Sequence, residues 1–467
     1  MSSNDEGSAP SPYIPNSVPA VREAMLRAIG AASIEDLYAD IPAHLRMTAP
    51  LDMPPPLRSE AELVRHVEDL LGRNTSSREV LSFLGAGCYP HHVPAVCDEV
   101  NSRAEFLTAY AGEPYEDHGR FQALFEYASM MGELLEMDVV NVPTYDGFQA
   151  SATALRMAAR ITGRGSVLVT GSIGRDELSK IRDYLAPDIA VDLVPYDPST
   201  GEMDLGALGA VVGDGTAAVF VKTPTYLGVV ETGVEEIVRI AHEAGAFVVA
   251  SVDPSTLGVL RPPAAWGADI ACGDIQPLGM HQQFGGGHAG FIATHDDPRF
   301  VMEFPSRLFG ITPTRVEGEV GFGDVAYERT SFAVREEGKE WVGTAAALWG
   351  ITAGVYLALM GPTGMVELGE GMMARTRYAM ERLARVPGVR LPFEASHHVK
   401  EFVVDLGGTE RSAVEALDGL LERGIFGGAD LTSQFPELGQ AVLVCVTEVH
   451  TKDDIDRLAD ALEEVVR

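Results

Sequence analysis

The chain has 467 residues, enough for one large α/β domain and a smaller one, which excludes a disulfide-held miniprotein or a short binding module. Its 35 Lys+Arg against 68 Asp+Glu leave a formal net charge of −33, and that sign argues against a nucleic-acid partner held through its phosphates. Cys88, Cys97, Cys272 and Cys445 show no CxxC spacing, and no cationic, apolar leader opens the sequence, so buried free thiols in a cytoplasmic protein are expected. The longest apolar runs, at 217–221 and 246–252, are strand-sized and far below the roughly 20 residues of a membrane span, so a soluble protein is expected.

Residues 1–11 (MSSNDEGSAPS) are small and polar and read as a disordered tail. Helical periodicity follows at 18–29 and, beyond the proline cluster 54–56, at 60–71, giving an N-terminal arm over 12–77. From 78 onward short apolar runs alternate with amphipathic segments. Strands are predicted at 139–142, 166–170, 189–195, 217–221 and 246–252, with helices at 149–161 and 234–244. That alternation predicts an α/β fold with a mostly parallel, doubly wound sheet, whose ligands collect at the carboxyl ends of the strands. A long helix over 344–359 is predicted to end at Gly361-Pro362, and a second to begin near 366 and reach 383. The remainder reads strand 401–406, helix 412–422, a Gly427-Gly428 turn, strand 441–447 and helix 453–466. The expected division is therefore a large α/β domain over 78–375 and a small C-terminal α+β domain over 376–467.

Several local patterns bear on chemistry. FGGGHAG at 284–290 has the glycine spacing of a dinucleotide loop, but it leads into a strand-like run and not a helix, so it reads as a tight turn. Cys88, His91 and His92 lie close together, yet no second cluster completes a metal site. His397-His398 precedes a predicted strand and is expected to be exposed. Asp253 closes the apolar run AFVVASVD. A carboxylate there can pair with the cationic ring nitrogen of pyridoxal phosphate (PLP), or can simply cap the loop before Pro254.

Taken together, the pieces resemble the first subunit of the split, two-chain form of the glycine decarboxylase P-protein. The likeness is carried by Tyr13-Ile14-Pro15-Asn16, SIEDLYADIP at 33–42, FLGAG at 83–87, SRAEFLTAY at 102–110 and QALFEY at 122–127. It continues through Tyr145-Asp146-Gly147, VDPSTLG at 252–258, QPLG at 276–279, IFGGADL at 425–431 and VTEVHTKDDID at 446–456. The resemblance implies the type I fold of PLP enzymes. It also implies an activity in which glycine loses CO2 with PLP as electron sink, its aminomethyl group passing to the lipoyl arm of H-protein. In the two-chain form the PLP lysine belongs to a homologous second subunit, so a heterotetramer of two chains of each kind is implied, with PLP on the partner.

The five lysines test that implication. The place of the family lysine reads His281-Gln282 here. Lys180 and Lys452 fall on polar helices, Lys339 before the long helix and Lys400 in the C-terminal part. Lys222 alone ends a predicted strand, but it precedes Asp253 by a strand–helix unit. The chain is expected not to hold PLP covalently. It also departs from the family pattern at 110–119 (YAGEPYEDHG), at Gly174-Arg175, and, while keeping Arg329, at 330–332 and 338–341, where polar groups expected near a shared site have changed. The expected function is that of a subunit 1-like component of a glycine decarboxylase. A paralogue directed at another small amino acid or acceptor and a non-catalytic scaffold are the alternatives.

For a site shared across an interface, the expected contributors are Gly85 and Gly87 with Tyr89 and His91, where small residues let backbone approach an anion or a neighbouring chain, or merely form a buried turn. Tyr145 and Asp146 open a helix at the place that cradles phosphate in the PLP-carrying homologues; Asp146 there reads as a helix cap or as an interface residue. Arg329 could hold a carboxylate bidentately or make a surface ion pair.

Overall fold

The computed structural model describes residues 13–14, 17–47, 49, 51–77, 79–107, 118–305, 307–339 and 346–467. The expected tail, the polar loop 113–117 and Trp341 lie outside them. The chain forms two compact units, Met1–Thr75 and Ser76–Arg467.

In the first unit α1 (Pro19–Ile29) starts with proline at its first position and stops at Gly30, whose φ of 75° only glycine adopts freely. Helix α2 (Glu60–Leu71) begins in a capping box, Ser59 accepting from the Glu62 amide while the Glu62 side chain returns to Ser59 N–H. Neither helix buries a residue. Met25, Ile29, Leu37, Tyr38, Leu63 and Leu70 are exposed.

The second unit opens with β1 (Leu81–Ser82), α3 (Ala95–Asn101), α4 (Ala104–Leu107) and α5 (His118–Leu135). There follow β2 (Val139–Val140), α6 (Gly147–Thr162), β3 (Ser166–Thr170), α7 (Arg175–Leu185), β4 (Ala190–Val194), α8 (Leu205–Val211), β5 (Thr216–Thr223), α9 (Val234–Glu243), β6 (Phe247–Val252), β7 (Ile270–Asp274) and β8 (Gly290–Thr294). Strands β2 to β8 make one seven-stranded sheet in the order β2-β8-β7-β6-β5-β3-β4. Its central members are parallel, and β8 runs antiparallel to β7 and β2. The near-continuous apolar runs have their physical reason in this layout, because a parallel strand covered by helices is buried on both faces. Along β5, Val219 and Val221 enter one core while Ala218 and Phe220 enter the other, so the period of two sorts them onto opposite faces.

Beyond the sheet lie α10 (Pro298–Val301), the hairpin β9 (Leu308–Pro313) and β10 (Val320–Val325), α11 (Ser331–Val334) and α12 (Ala347–Leu383). The break expected at Gly361-Pro362 is a single residue off helical geometry, Gly361 at φ 60° and ψ −178°. The helix resumes at once, not near 366, because proline fits a first helical turn. The joined helix is long and apolar enough to cross a membrane by length and composition alone, although the separate sequence runs are not. Its buried positions, among them Ile351, Ala353 and Tyr356, belong to the cores of this unit.

The chain ends with β11 (Glu401–Asp405), α13 (Ala413–Leu421), β12 (Ile425–Phe426), β13 (Ala429–Asp430), β14 (Ala441–Cys445) and α14 (Lys452–Val466). Strands β11, β14 and β13 form an antiparallel sheet, and β12 pairs in parallel with β1. Helix α12 runs without interruption through 375–376. One expectation fails here: His397 is exposed but His398 is buried. Its Nδ1 lies 2.9 Å from the Gly228 carbonyl and its Nε2 3.0 Å from the Phe393 carbonyl, so the ring serves to tie the segment before β11 to the body.

Candidate functional site

A cleft of about 360 Å³ opens at the carboxyl ends of β5, β6 and β7, where a doubly wound sheet places its ligands. Its lining brings together residues from the loop after β1 (Ala86, Gly87, Tyr89), the start of α6 (Asp146, Gly147, Phe148) and the start of α7 (Asp176, Glu177). The strand ends supply Lys222, Asp253 and Asp274, and β11 with the residue before it supplies Glu401 and Lys400.

Asp253 follows β6 directly. Its Oδ1 accepts from the Ser255 amide at 3.0 Å and from the Ser255 hydroxyl at 2.7 Å, while its other oxygen is ion-paired with Lys400. Burial works against a charge here, but the Lys400 ammonium outweighs it and keeps the carboxyl below its usual range. The Lys400 amine also donates to Ser255 Oγ at 3.3 Å, lies 3.2 Å from His91 Nε2 and sits 3.4 Å from the centre of the Tyr89 ring. The other ring nitrogen of His91 meets Glu448 at 2.9 Å. With Nδ1 as the protonated nitrogen, the ring donates to Glu448 and accepts from Lys400, satisfying both contacts.

The loop at 83–89 is shaped by the residue that follows Lys400, Glu401, the first of β11. The Ala86 amide donates to Glu401 Oε1 at 2.6 Å, and the Tyr89 hydroxyl donates to Oε2 at 3.2 Å. Gly85 is needed for that approach: a Cβ there would collide with the Glu401 carboxylate and lie 2.6 Å from Cys445 Cβ. The loop thus does present its backbone to an anion, and the anion is the chain's own. Burial raises the Glu401 pKa.

The cradle at the start of α6 is filled in the same manner. Asp146 caps the helix by accepting from the Gln149 amide at 2.6 Å, and Asp274 accepts from the Gly147 amide at 2.8 Å. Deeper in the wall, Lys222 donates to Glu177 at 2.7 Å. Burial disfavours its charge, but Glu177 outweighs that and keeps the amine protonated, a state in which it is no nucleophile.

Of the residues singled out from the sequence, Gly87, Tyr89 and Asp146 line the cleft. Gly85 and His91 stand behind the lining, in contact with Glu401 and Lys400 respectively. Tyr145 is half exposed and lies outside the lining; its amide donates to Gln149 Oε1 at 3.1 Å. Arg329 must be corrected as a cleft or surface residue: it is buried and outside the cleft lining, and its Nη1 donates to the Phe304 carbonyl at 2.7 Å. That burial pushes its pKa down to about 10. Lys400, set aside from the sequence as part of the C-terminal segment, is the cation at the centre of the site. No local signal marks it, since 145 residues separate it from Ser255. Asp274, Glu177 and His288 were missed for the same reason. Cys88, His91 and His92 do not converge, and among the described residues no group of three or more His, Cys, Asp or Glu could hold a metal ion.

The fold is that of the type I PLP enzymes, but the residues do not fit the cofactor. His281-Gln282 stand where the family lysine is expected, and neither residue is part of the lining. The ring counter-ion Asp253 is already paired, and two carboxylates occupy the cradle that would receive a phosphate dianion.

Comparison with known proteins defines the family. The model of the glycine cleavage system P-protein matches residues 11–462, and the chain belongs to that PLP-dependent family. The probable glycine dehydrogenase (decarboxylating) subunit 1 of Staphylothermus marinus is 36% identical over 97% of this chain and 98% of its own length. That of Geobacillus kaustophilus is 39% identical over 94% and 96%. A crystal structure of a glycine decarboxylase P-protein of the glycine cleavage system, in inhibitor-bound form, superposes with a TM-score of 0.85 at 34% identity, covering 98% of this chain and all of the other. A NifS-like protein shares the fold alone, with a TM-score of 0.62 at 14% identity over 83% of this chain and 99% of its own. The chain is thus a subunit 1-like member of the two-subunit P-protein.

Two predictions come from these pairs. Lys222→Met leaves Glu177 buried without its cation and should cost about 3–5 kcal/mol. Lys222→Met/Glu177→Gln should recover most of it, read with Glu177→Gln as a double-mutant cycle by urea unfolding; a double-variant cost equal to the sum of the two single costs would show that the two charges are not coupled. For His288, burial lowers the pKa, but hydrogen bonds to Asp274 and Cys88 outweigh it and raise it to about 10. The folded value lies above the unfolded one of about 6.5, so the stabilisation is complete below that pH and is lost as pH rises through about 10. His288→Asn should remove this component from the thermal midpoint measured between pH 7 and 10, and parallel curves for the two proteins would contradict it.

Proposed function

We propose that this chain is the non-PLP half of a heteromeric glycine decarboxylase, acting with a homologous second subunit that carries the cofactor lysine. The observation that carries the reading is the cleft. It keeps the architecture of a PLP site while each cofactor-facing group is engaged within the chain: Asp253 with Lys400, the Gly147 amide with Asp274, and the Gln149 amide with Asp146. PLP, held by the partner, supplies the electron sink for loss of CO2 from glycine. The aminomethyl group then passes to the lipoyl arm of H-protein.

This chain's part is to support the partner's site. Exposed apolar side chains along the arm, including Met25, Ile29, Leu63 and Leu70, suit a surface that another subunit covers. A heterotetramer of two chains of each kind, working in the cytoplasm, completes the proposal.

The test is reconstitution. The purified chain, the lysine-bearing homologue, PLP, H-protein and carboxyl-labelled glycine are mixed, with omission of each in turn. Label should exchange with bicarbonate only in the complete mixture, and a PLP absorbance band should follow the second subunit through gel filtration together with this chain. Failure of the two chains to co-elute, or a borohydride-reducible PLP adduct on this chain alone, would overturn the reading.

A further inference from the structure

We infer that Lys400 is an internal replacement for the ring cation of PLP: delivered from the start of β11, its ammonium takes the counter-ion position at Asp253 and bars a protonated pyridine ring from this chain's cleft. The inference deepens the proposed function, since it rests on this chain being the subunit without cofactor and names the device that keeps it so.

Three features argue for a specific replacement and not a chance surface pair. First, Lys400 is only 3% exposed, and Asp253 lies directly at the carboxyl end of β6, where a ring counter-ion belongs. Second, an ammonium has three donors, and three acceptors surround this one: Asp253, Ser255 Oγ and His91 Nε2. Third, the Tyr89 face lies against the ammonium at 3.4 Å, a cation–π contact that covers the amine from the side of the loop. A second cation brought to Asp253 would meet Lys400 as a like charge in a water-poor pocket.

The replacement is also what holds β11 against the main sheet at this point. A cofactor lying between the strand ends and the C-terminal part would have to part Asp253 from Lys400 and move Glu401 away from the Ala86 amide and Tyr89 hydroxyl. Ring exclusion and phosphate exclusion are separable, because the carboxylates of Asp146 and Asp274 sit at the α6 end of the cleft.

The probe is therefore pyridoxine, which has the ring but neither phosphate nor aldehyde, so that it reports on Asp253 alone and forms no adduct with surface lysines. Binding to the full-length chain is measured by equilibrium dialysis and by the shift of the thermal midpoint, for wild type, Lys400→Met, Lys400→Gln and Lys400→Met/Asp253→Asn. Wild type should show no saturable binding. The two single variants should bind at least tenfold tighter than wild type and be stabilised by the probe, and the double variant should lose the gain because the counter-ion is gone. Lys400→Gln keeps polar contacts to Ser255 and His91, and serves if the methionine variant does not fold. Saturable binding by wild type, folded single variants without gain, or equal binding by the double variant would each overturn the inference. The isolated chain suffices for this test. Failure of reconstitution with the second subunit is a different result and leaves these readings distinct.

Discussion

The buried ion pair between Asp253 and Lys400 fixes the geometry on which the rest of the cleft depends. It joins the carboxyl end of β6 to the start of β11, and the residue that follows Lys400 extends the constraint. Glu401 accepts from the Ala86 amide and the Tyr89 hydroxyl and so sets the loop after β1. Tyr89 in turn exchanges hydrogen bonds with Gln276 just beyond β7, its amide to Oε1 at 3.0 Å and Nε2 to its carbonyl at 3.1 Å. Two adjacent residues at the start of β11 thereby lock four segments that are remote in sequence. Such a pair contributes little net stability, because desolvation offsets most of the Coulomb gain. Removing one partner is costly because a charge is then left buried alone. Its role here is to hold one arrangement.

The same principle recurs around the cleft. Glu177 has Lys222, Asp274 has His288 and the Gly147 amide, and Asp146 has the Gln149 amide with Lys180 at 3.4 Å. Polar groups shielded from water must find partners. In a cofactor-binding cleft some of those partners belong to the ligand. Here the chain itself supplies partners to Asp253, Asp274, Asp146 and Glu177.

That internal pairing separates two properties that travel together in an ordinary enzyme, the fold and the chemistry. The seven-stranded sheet, its crossover helices and the C-terminal sheet build the familiar frame of a PLP enzyme. Function belongs to the residues placed on that frame. Lys222, an amine that lines the cleft, is protonated and paired with Glu177, a state in which it is no nucleophile.

The order of strands and helices was legible from the sequence because it follows from local rules. Buried parallel strands read as unbroken apolar runs such as 217–221, and helices as amphipathic segments with capping boxes such as Ser59 with Glu62. The series of matched segments from Tyr13 onward carried the family. The α12 kink at Gly361 was legible too, while the immediate return to helix at Pro362 was not. Arg329 and His398 were misplaced because polar residues next to turns read as exposed, and only packing shows that carbonyls of Phe304 and of Gly228 and Phe393 are waiting for them. Within the site, sequence marked Asp253, Tyr89 and Asp146, each lying at the end of a recognisable element. It gave no hint of Lys400, because an ion pair depends on distance in space and nothing local encodes a partner so far along the chain. The sequence by itself thus determined the family and the frame. The tertiary structure decided that the remaining charges close on one another, since pairing of buried charges is settled only when strands distant in sequence are brought together at one sheet edge.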